Sequence, residues 1–178
     1  SEDDWLEAIT TLREEHHLLS QHLDADGTLK NQLDCHPLIR EYYGKQLRET
    51  QPDAWRQAHA RLYDYYKALP QKLCGKELPD TLEEMQPLFN AVTHGCAAGL
   101  YQQALDEVYW PRVRRENEAY IVHKLGAFSD DLAVVAHFFT TLWHIPVADL
   151  RDTDQAVVLS WAGFRLRALG RLREALEP

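Results

Sequence analysis

The feature that most constrains the fold of this chain is a seven-residue pattern, Gly-x-apolar-x-x-Ala-Leu, that occurs twice. It begins at Gly99 and again at Gly170, and a looser copy begins at Gly126 and continues through Phe128 and Leu132. Glycine ends a helix where the backbone needs a positive φ, and the alanine lets the next helix pack closely against the first. The two clear copies lie 71 residues apart, close to two periods of a helical repeat of about 34 residues. The pattern therefore predicts helical hairpins with glycine corners.

Apolar periodicity predicts three helices before that region. Residues 4–19 and 53–69 place apolar side chains at helical spacing, and a third helix starts at Pro37 and closes before Pro52. In the helix after Pro37 we expect these side chains to face inward: Leu38, Tyr42, Tyr43 and Leu47.

The segments between these helices carry turn and capping signals. Residues 21–34 predict a β-hairpin with its turn at Asp26-Gly27, and residues 70–80, with two prolines and a glycine, predict a loop. Thr81 and Glu84 have the spacing of a capping box, and Pro87 predicts a kink or a restart of the helix that follows. The expected fold is mostly α, with one β-hairpin near the N-terminus.

Composition excludes several classes of protein. The net charge of −9 on 178 residues disfavours nonspecific binding to nucleic acid, and no apolar run approaches the ~20 residues that span a bilayer. Three of the first four residues are acidic where a secretory signal would be basic, and three cysteines fit a reducing compartment. We therefore expect a cytoplasmic protein. Because the chain begins without Met and ends inside a helical pattern, we also expect it to be a fragment.

Residues 88–178 resemble tetratricopeptide repeats. In the last unit these residues fall on the family's characteristic positions: Leu159, Gly163, Leu166, Gly170, Leu172 and Ala175. The unit around Gly99 keeps Leu88, Gly99, Tyr101 and Ala104, but it has Val92 where a small residue is usual and Gly95 where an aromatic is usual. The resemblance implies a right-handed stack of helical hairpins that binds a protein or peptide on its surface.

Residues 5–50 look like the end of a winged-helix domain from the signal-transducing ATPases with numerous domains (STAND), the group that holds NB-ARC and NACHT switch proteins. The helix, the wing hairpin and the run His36-Pro37-Leu38-x-Arg40-Glu41-Tyr42 carry this resemblance. The four residues from Cys35 also resemble the Met-His-Asp-Leu motif of plant immune receptors, of which only the His and the Leu are kept, with Pro37 in place of Asp. The resemblance implies that His36 contacts a nucleotide diphosphate in the full-length protein. A helix cap at the same position is the alternative.

Three segments follow from these observations: a winged-helix-like part over 1–50, a helical bridge over 51–87 and helical repeats over 88–178. The resemblance implies a non-catalytic sensor segment that couples partner binding to the ATP/ADP switch of a parent ATPase, whose module would precede it. A hinge is expected near 48–53 or 70–80. The P-loop pattern is absent, so the segment itself is not expected to be an enzyme or to hold a cofactor.

Two other functions stay open. A DNA-binding winged-helix regulator needs a basic recognition helix, whereas residues 4–19 hold several acidic side chains against one arginine, Arg13. A repeat scaffold unrelated to any ATPase is the other alternative.

Aromatic residues supply the candidate binding sites. Trp55, Tyr63 and Tyr66 share one helix face and are expected in the core, whereas Tyr65, Tyr101 and Trp110 are the predicted partner-binding residues.

Charged and metal-ligating residues give weaker signals. The arginines of 112–115 and 165–173 are expected on solvated helix faces, and so are paired carboxylates such as Asp130-Asp131. No metal site is expected, because His94-x-Cys96 and the other His and Cys groupings lack ligand spacing.

Overall fold

Helices make up most of this computed structural model, which describes residues 2–23 and 29–176. Two small antiparallel sheets accompany the helices in that part of the chain. The chain divides into two compact units, Ser1–Ala54 and Trp55–Pro178.

The N-terminal unit contains the predicted β-hairpin. Helix α1 (Glu2–Glu14) precedes strands β1 (Leu19–Leu23) and β2 (Leu29–Cys35), which pair antiparallel, and helix α2 (Pro37–Thr50) follows. The predicted turn at Asp26-Gly27 lies outside the described residues. The prediction of a first helix over 4–19 is wrong at its end, because the backbone turns at His17 with φ 52° and residue 19 opens β1.

Helix α2 forms as predicted, but the burial predicted for its apolar face is wrong. The exposed fractions of Leu38, Tyr42 and Tyr43 are 68%, 65% and 56%, and Leu47 is half-buried. Among residues 3–20 and 33–54, whose side chains the structure describes, none is buried. Helix α1 and the two-stranded sheet therefore do not cover this face.

Helix α3 (Pro52–Cys74) confirms the predicted helix over 53–69 and continues beyond it. The predicted loop is therefore wrong over 70–74, where Pro70 lies inside the helix and is itself buried. Tertiary packing outweighs the local preference of proline here. Tyr63 on the same helix is fully buried, as predicted.

Helix α4 (Leu82–Ala97) begins with the predicted capping residues. The Thr81 hydroxyl accepts from the Glu84 backbone N–H at 3.2 Å. The Glu84 carboxylate reaches one residue further back than expected, to the Asp80 N–H at 2.9 Å. Pro87 does not restart the helix, which is continuous through it.

The predicted glycine corners are present. Gly99, Gly126 and Gly170 have φ values of +82°, +64° and +74°. After Gly99 the Leu100 N–H donates to the Gly95 carbonyl at 2.8 Å, and after Gly170 the Arg171 N–H donates to the Leu166 carbonyl at 2.8 Å. These are the bonds of a Schellman motif, which satisfies carbonyls at the end of a helix.

Each corner joins two helices. The corner at Gly99 joins α4 to α5 (Tyr101–Ala104), which continues as a π-helical segment, Leu105–Val113. The corner at Gly126 joins α6 (Tyr120–His123) to α7 (Phe128–Val135), and the corner at Gly170 joins α8 (Asp152–Ala168) to α9 (Leu172–Leu176). Short 3₁₀ turns cover Glu116–Glu118 and Ala136–Phe138.

A second hairpin interrupts the helical series between α7 and α8. Strands β3 (Phe139–Thr141) and β4 (Ile145–Pro146) pair antiparallel, so the prediction of a single hairpin is wrong. Three-residue and two-residue strands are too short to show an alternating pattern in the sequence.

One hydrophobic core fills the C-terminal unit. It is built from α3, α4, the π-helical segment and α6 to α8, with Tyr63, Leu88, Tyr109 and Phe138 among its fully buried large side chains. Gly95 allows the closest approach, since a Cβ there would lie 2.9 Å from the Tyr63 ring. That contact explains why a glycine stands at position 95.

Candidate partner-binding groove

Of the three predicted partner-binding residues, the structure places Trp110 in a groove. Its indole stacks on Trp161, with ring centroids 5.6 Å apart and an interplanar angle of 13°. Tyr65 is 53% exposed on α3 and contacts Tyr66 edge to face. Tyr101 begins α5 and is half-buried against the core. The three predicted residues thus lie on three different helical segments, and only Trp110 lines this groove.

The groove lies between the π-helical segment and α8 and encloses about 220 Å³. Trp110 and Trp161 are half-buried, whereas Val157 is 38% exposed. Two stacked indoles at a surface offer a large apolar area with two N–H groups, which suits a side chain or short segment of a partner. The lining residues are Leu105, Asp106, Trp110, Arg151, Asp154, Val157 and Trp161.

Charged side chains form the mouth of this groove. The Arg151 guanidinium donates to Asp106 at 2.7 Å and to Asp154 at 2.6 Å. The Gln102 amide donates to the same two carboxylates at 3.0 Å and 2.8 Å, and its oxygen accepts from the Arg151 backbone N–H. The two helices that form the groove thus each contribute one carboxylate to a single guanidinium.

Arg114 contacts the two indoles without lining the groove. Its guanidinium carbon lies 4.8 Å from the Trp110 ring centroid and 4.9 Å from that of Trp161. Trp110 and Arg114 are four residues apart at the end of the π-helical segment, where the Arg114 N–H bonds to the Tyr109 carbonyl. This cation–π contact holds the tryptophan pair in place.

A buried polar cluster lies in the core beside the tryptophans. Arg165 is only 2% exposed, and its Nε donates to the Asp131 carboxylate. A second guanidinium nitrogen, Nη2, donates to the Tyr109 hydroxyl at 3.1 Å. That hydroxyl donates to Asp131 at 2.9 Å, and the Arg165 guanidinium also donates to the Trp161 carbonyl at 2.9 Å. Burial raises the pKa of Asp131, while Arg165 and Tyr109 oppose that rise. The cluster ties α8, including Trp161, to the π-helical segment and α7.

This cluster corrects two predictions. Asp131 was expected on an exposed face and Arg165 in a solvated run, yet both are buried. Arg165 and Asp131 satisfy each other, and helix periodicity could not show this because α8 carries apolar residues on several sides.

The arginines of 112–115 also have internal roles. Arg112 donates to the Lys67 carbonyl at 2.7 Å and to the Glu77 carbonyl at 3.1 Å. Arg115 donates to the Pro79 carbonyl at 2.5 Å and lies over the Tyr120 ring. Both therefore hold the loop between α3 and α4, which makes that loop a poor candidate for the hinge predicted at 70–80.

Two histidines meet between α3 and α4. The Nδ1 atoms of His59 and His94 lie 2.8 Å apart, so that one nitrogen donates and the other accepts. Tyr66 stacks on His94 and Trp55 lies against His59. Burial, and to a smaller extent the nearby His59 and His137, lower the pKa of His94 to about 4. The pair is therefore uncharged at neutral pH.

His36 is the N-cap of α2. Its Nδ1 atom accepts from the Leu38 backbone N–H at 3.3 Å, and its side chain is exposed. This is the capping alternative considered from the sequence. Because the ring is exposed, it could also be reached by a nucleotide in a full-length protein, and that contact stays a prediction.

Trp161, Arg151, Asp106 and Asp154 were not identified from the sequence. Trp161 lies on a helix with no single apolar face, and the three charged residues look like ordinary surface positions until α8 is packed against the π-helical segment. The tryptophan itself was the available signal, because a half-exposed indole seldom lacks a packing partner.

Within the part of the chain that the structure describes, no three His, Cys, Asp or Glu side chains converge as metal ligands do. In residues 2–23 and 29–176, no helix combines the length and apolarity that crossing a membrane requires. Comparison of the chain with models of protein families, with curated proteins and with solved structures found no match.

Proposed function

We propose that this chain is a non-catalytic, protein-binding segment of a signalling switch, and that a partner docks in the groove of Trp110 and Trp161. The single observation that supports this most is the stacked indole pair, half-exposed at the base of a groove with a charged mouth. Tryptophan and arginine are the residues that most often dominate binding energy at protein interfaces.

The packing around the groove favours a preformed site. Arg114 holds the two indoles from one side, and Arg165 ties the α8 backbone at Trp161 to the buried cluster. A site that is already ordered loses less conformational entropy when its partner binds. Docking there would therefore leave the helices around the groove in place.

The wider role rests on the STAND resemblance. In this proposal the partner's occupancy of the helical-hairpin region is coupled to the ATP/ADP switch of a parent ATPase, and His36 senses the nucleotide there. A P-loop is then expected in the parent protein N-terminal to Ser1. A parent reading frame without one would reduce the proposal to a protein-binding scaffold.

Peptide selection on the immobilised 178-residue chain tests the binding proposal. We expect selected peptides to lose at least about tenfold in affinity on Trp110→Ala or Trp161→Ala, which corresponds to about 1.4 kcal/mol. Tyr42→Ala is the matched control, because it removes an exposed aromatic ring from the N-terminal unit. Circular dichroism checks that each variant folds. Selected peptides that bind the tryptophan variants as well as the wild type, or a failure to select any, would contradict the proposal.

A further inference from the structure

At the mouth of the tryptophan groove, two carboxylates converge on one guanidinium, that of Arg151. Asp106 comes from the π-helical segment and Asp154 from the first turn of α8, and both face the same cation. The Gln102 amide, within hydrogen-bond distance of both carboxylates, holds them in position. Two carboxylates that converge on one planar fork are the arrangement that arginine recognition uses.

Arg151, which occupies this position between the two carboxylates, is held only weakly. Arg151 reaches it from the residue before α8, and its side chain remains 60% exposed although it contacts both carboxylates. Exposed ion pairs contribute little to stability. By contrast, the side chains of the ion pair between Arg165 and Asp131 are only 3% and 0% exposed, so that pair is shielded from water and from competing ions.

Charge favours a second cation at the same place. Two carboxylates and one guanidinium line the groove, which leaves one negative charge in excess at its mouth. The adjoining indole faces attract a guanidinium through cation–π contact. Arg114 contacts both rings as well, but it is not among the residues that line the groove.

We propose that Arg151 is an internal stand-in for an arginine of the partner, which exchanges with it for Asp106 and Asp154 and stacks on the tryptophans. This inference rests on the proposed function of the groove and names the chemistry of its ligand. Binding would then displace Arg151 from the mouth. Removal of the Arg151 guanidinium would leave both carboxylates free to bind the partner's arginine.

Three fluorescein-labelled, amidated peptides test this on the whole chain: Gly-Leu-Arg-Leu-Gly and its counterparts with citrulline or glutamate at the centre. Citrulline keeps the shape of arginine without its charge. Fluorescence anisotropy at constant ionic strength should show at least about tenfold tighter binding of the arginine peptide than of either counterpart. Arg151→Gln should strengthen that binding about tenfold, and Asp154→Asn should weaken it by a similar factor.

Asp64→Asn is the matched control, because it removes the same charge from an exposed carboxylate on α3 that is far less enclosed. General attraction of a cation to an acidic protein would make the two Asn variants equal. Equal variants, equal affinity for citrulline, no gain with Arg151→Gln, or no binding of the arginine peptide to any form would each overturn the inference. The proposed function would survive those results if selected peptides still depend on Trp110, and it would fail separately if they do not.

Discussion

The two units of this chain use their apolar side chains differently. In Trp55–Pro178 a single core buries residues from every helix between α3 and α8, and Tyr63, Leu88, Tyr109 and Phe138 have no exposed area. In Ser1–Ala54 no described side chain is buried, and Trp5 and Leu38 are about two-thirds exposed, at 67% and 68%. Both stretches have helical periodicity, so periodicity identifies an apolar face without showing that the face is covered.

Of the two units, only the C-terminal one buries enough apolar area among its described residues to fold by itself. Burial of apolar area is the main favourable term in folding, and chains of about 60 residues are marginal even with a proper core. The N-terminal unit has fewer residues and no buried side chain among those described. It also carries most of the chain's excess acidic charge, with twelve of the 28 Asp and Glu against five of the 19 Lys and Arg.

Dividing the chain between α2 and α3 should give the largest effect. We expect residues 52–178 to unfold cooperatively in urea and to keep their helical circular dichroism. Residues 1–51 should show little helix and no cooperative transition, since none of their described side chains is buried. A cooperative transition in 1–51, or a loss of structure in 52–178, would break the comparison.

Asp131→Ala should give the next largest effect, within the C-terminal unit. It leaves the Arg165 guanidinium buried without its carboxylate, which typically destabilises a fold by about 3–5 kcal/mol. Asp130→Ala changes the exposed neighbour on the same helix, and its effect should stay below about 1 kcal/mol. Urea midpoints measure both. Equal effects would mean that the buried cluster does not stabilise the core.

The sequence predicted those elements whose signal is local. The corners at Gly99 and Gly170 were predicted because glycine adopts a positive φ without steric cost, and the cap at Thr81 because its bond partner lies three residues away. The helix over 53–69 and the hairpin over 21–34 followed from their periods.

What the sequence could not supply depends on contacts between distant residues. Arg165 and Asp131 are 34 residues apart, and the pair is recognisable only after α7 and α8 meet. Trp110 was identified as a binding candidate from its place outside the apolar stripe, whereas the groove that contains it needs Trp161 from α8. Exposure in α2 was mispredicted for a related reason, because the sequence does not state what lies opposite a face.

Acid should destabilise the C-terminal unit through the histidine pair. The pKa of His94 is about 4 in the folded chain and about 6.5 in an unfolded one. The unfolded state therefore binds more protons between these values, and stability falls as pH drops from about 6.5 toward 4. Because His94 is partly exposed, the total loss should be about 1–2 kcal/mol.

Phenylalanine in place of His94 isolates this contribution. His94→Phe keeps a ring against Tyr66 and removes the titrating group, so the fall in stability between pH 6.5 and 4 should be smaller by about 1–2 kcal/mol than in the wild type. His144→Gln is the control, because it changes an exposed histidine in the turn between β3 and β4. Parallel pH profiles for wild type and His94→Phe would exclude the pair as the cause.

The smallest effect should come from the exposed face of α2, and it sharpens the comparison most. Serine at Leu38 or Tyr42 removes apolar area that is already in contact with water, so each change should alter the free energy of unfolding by less than about 0.5 kcal/mol. Tyr63→Ala, which removes a fully buried ring of similar chemistry, should cost about 3–5 kcal/mol. A loss above 1 kcal/mol for the α2 variants would mean that this face is covered in solution. Dependence of that loss on protein concentration, measured by sedimentation, would identify a second copy of the chain as the cover, because only self-association varies with concentration.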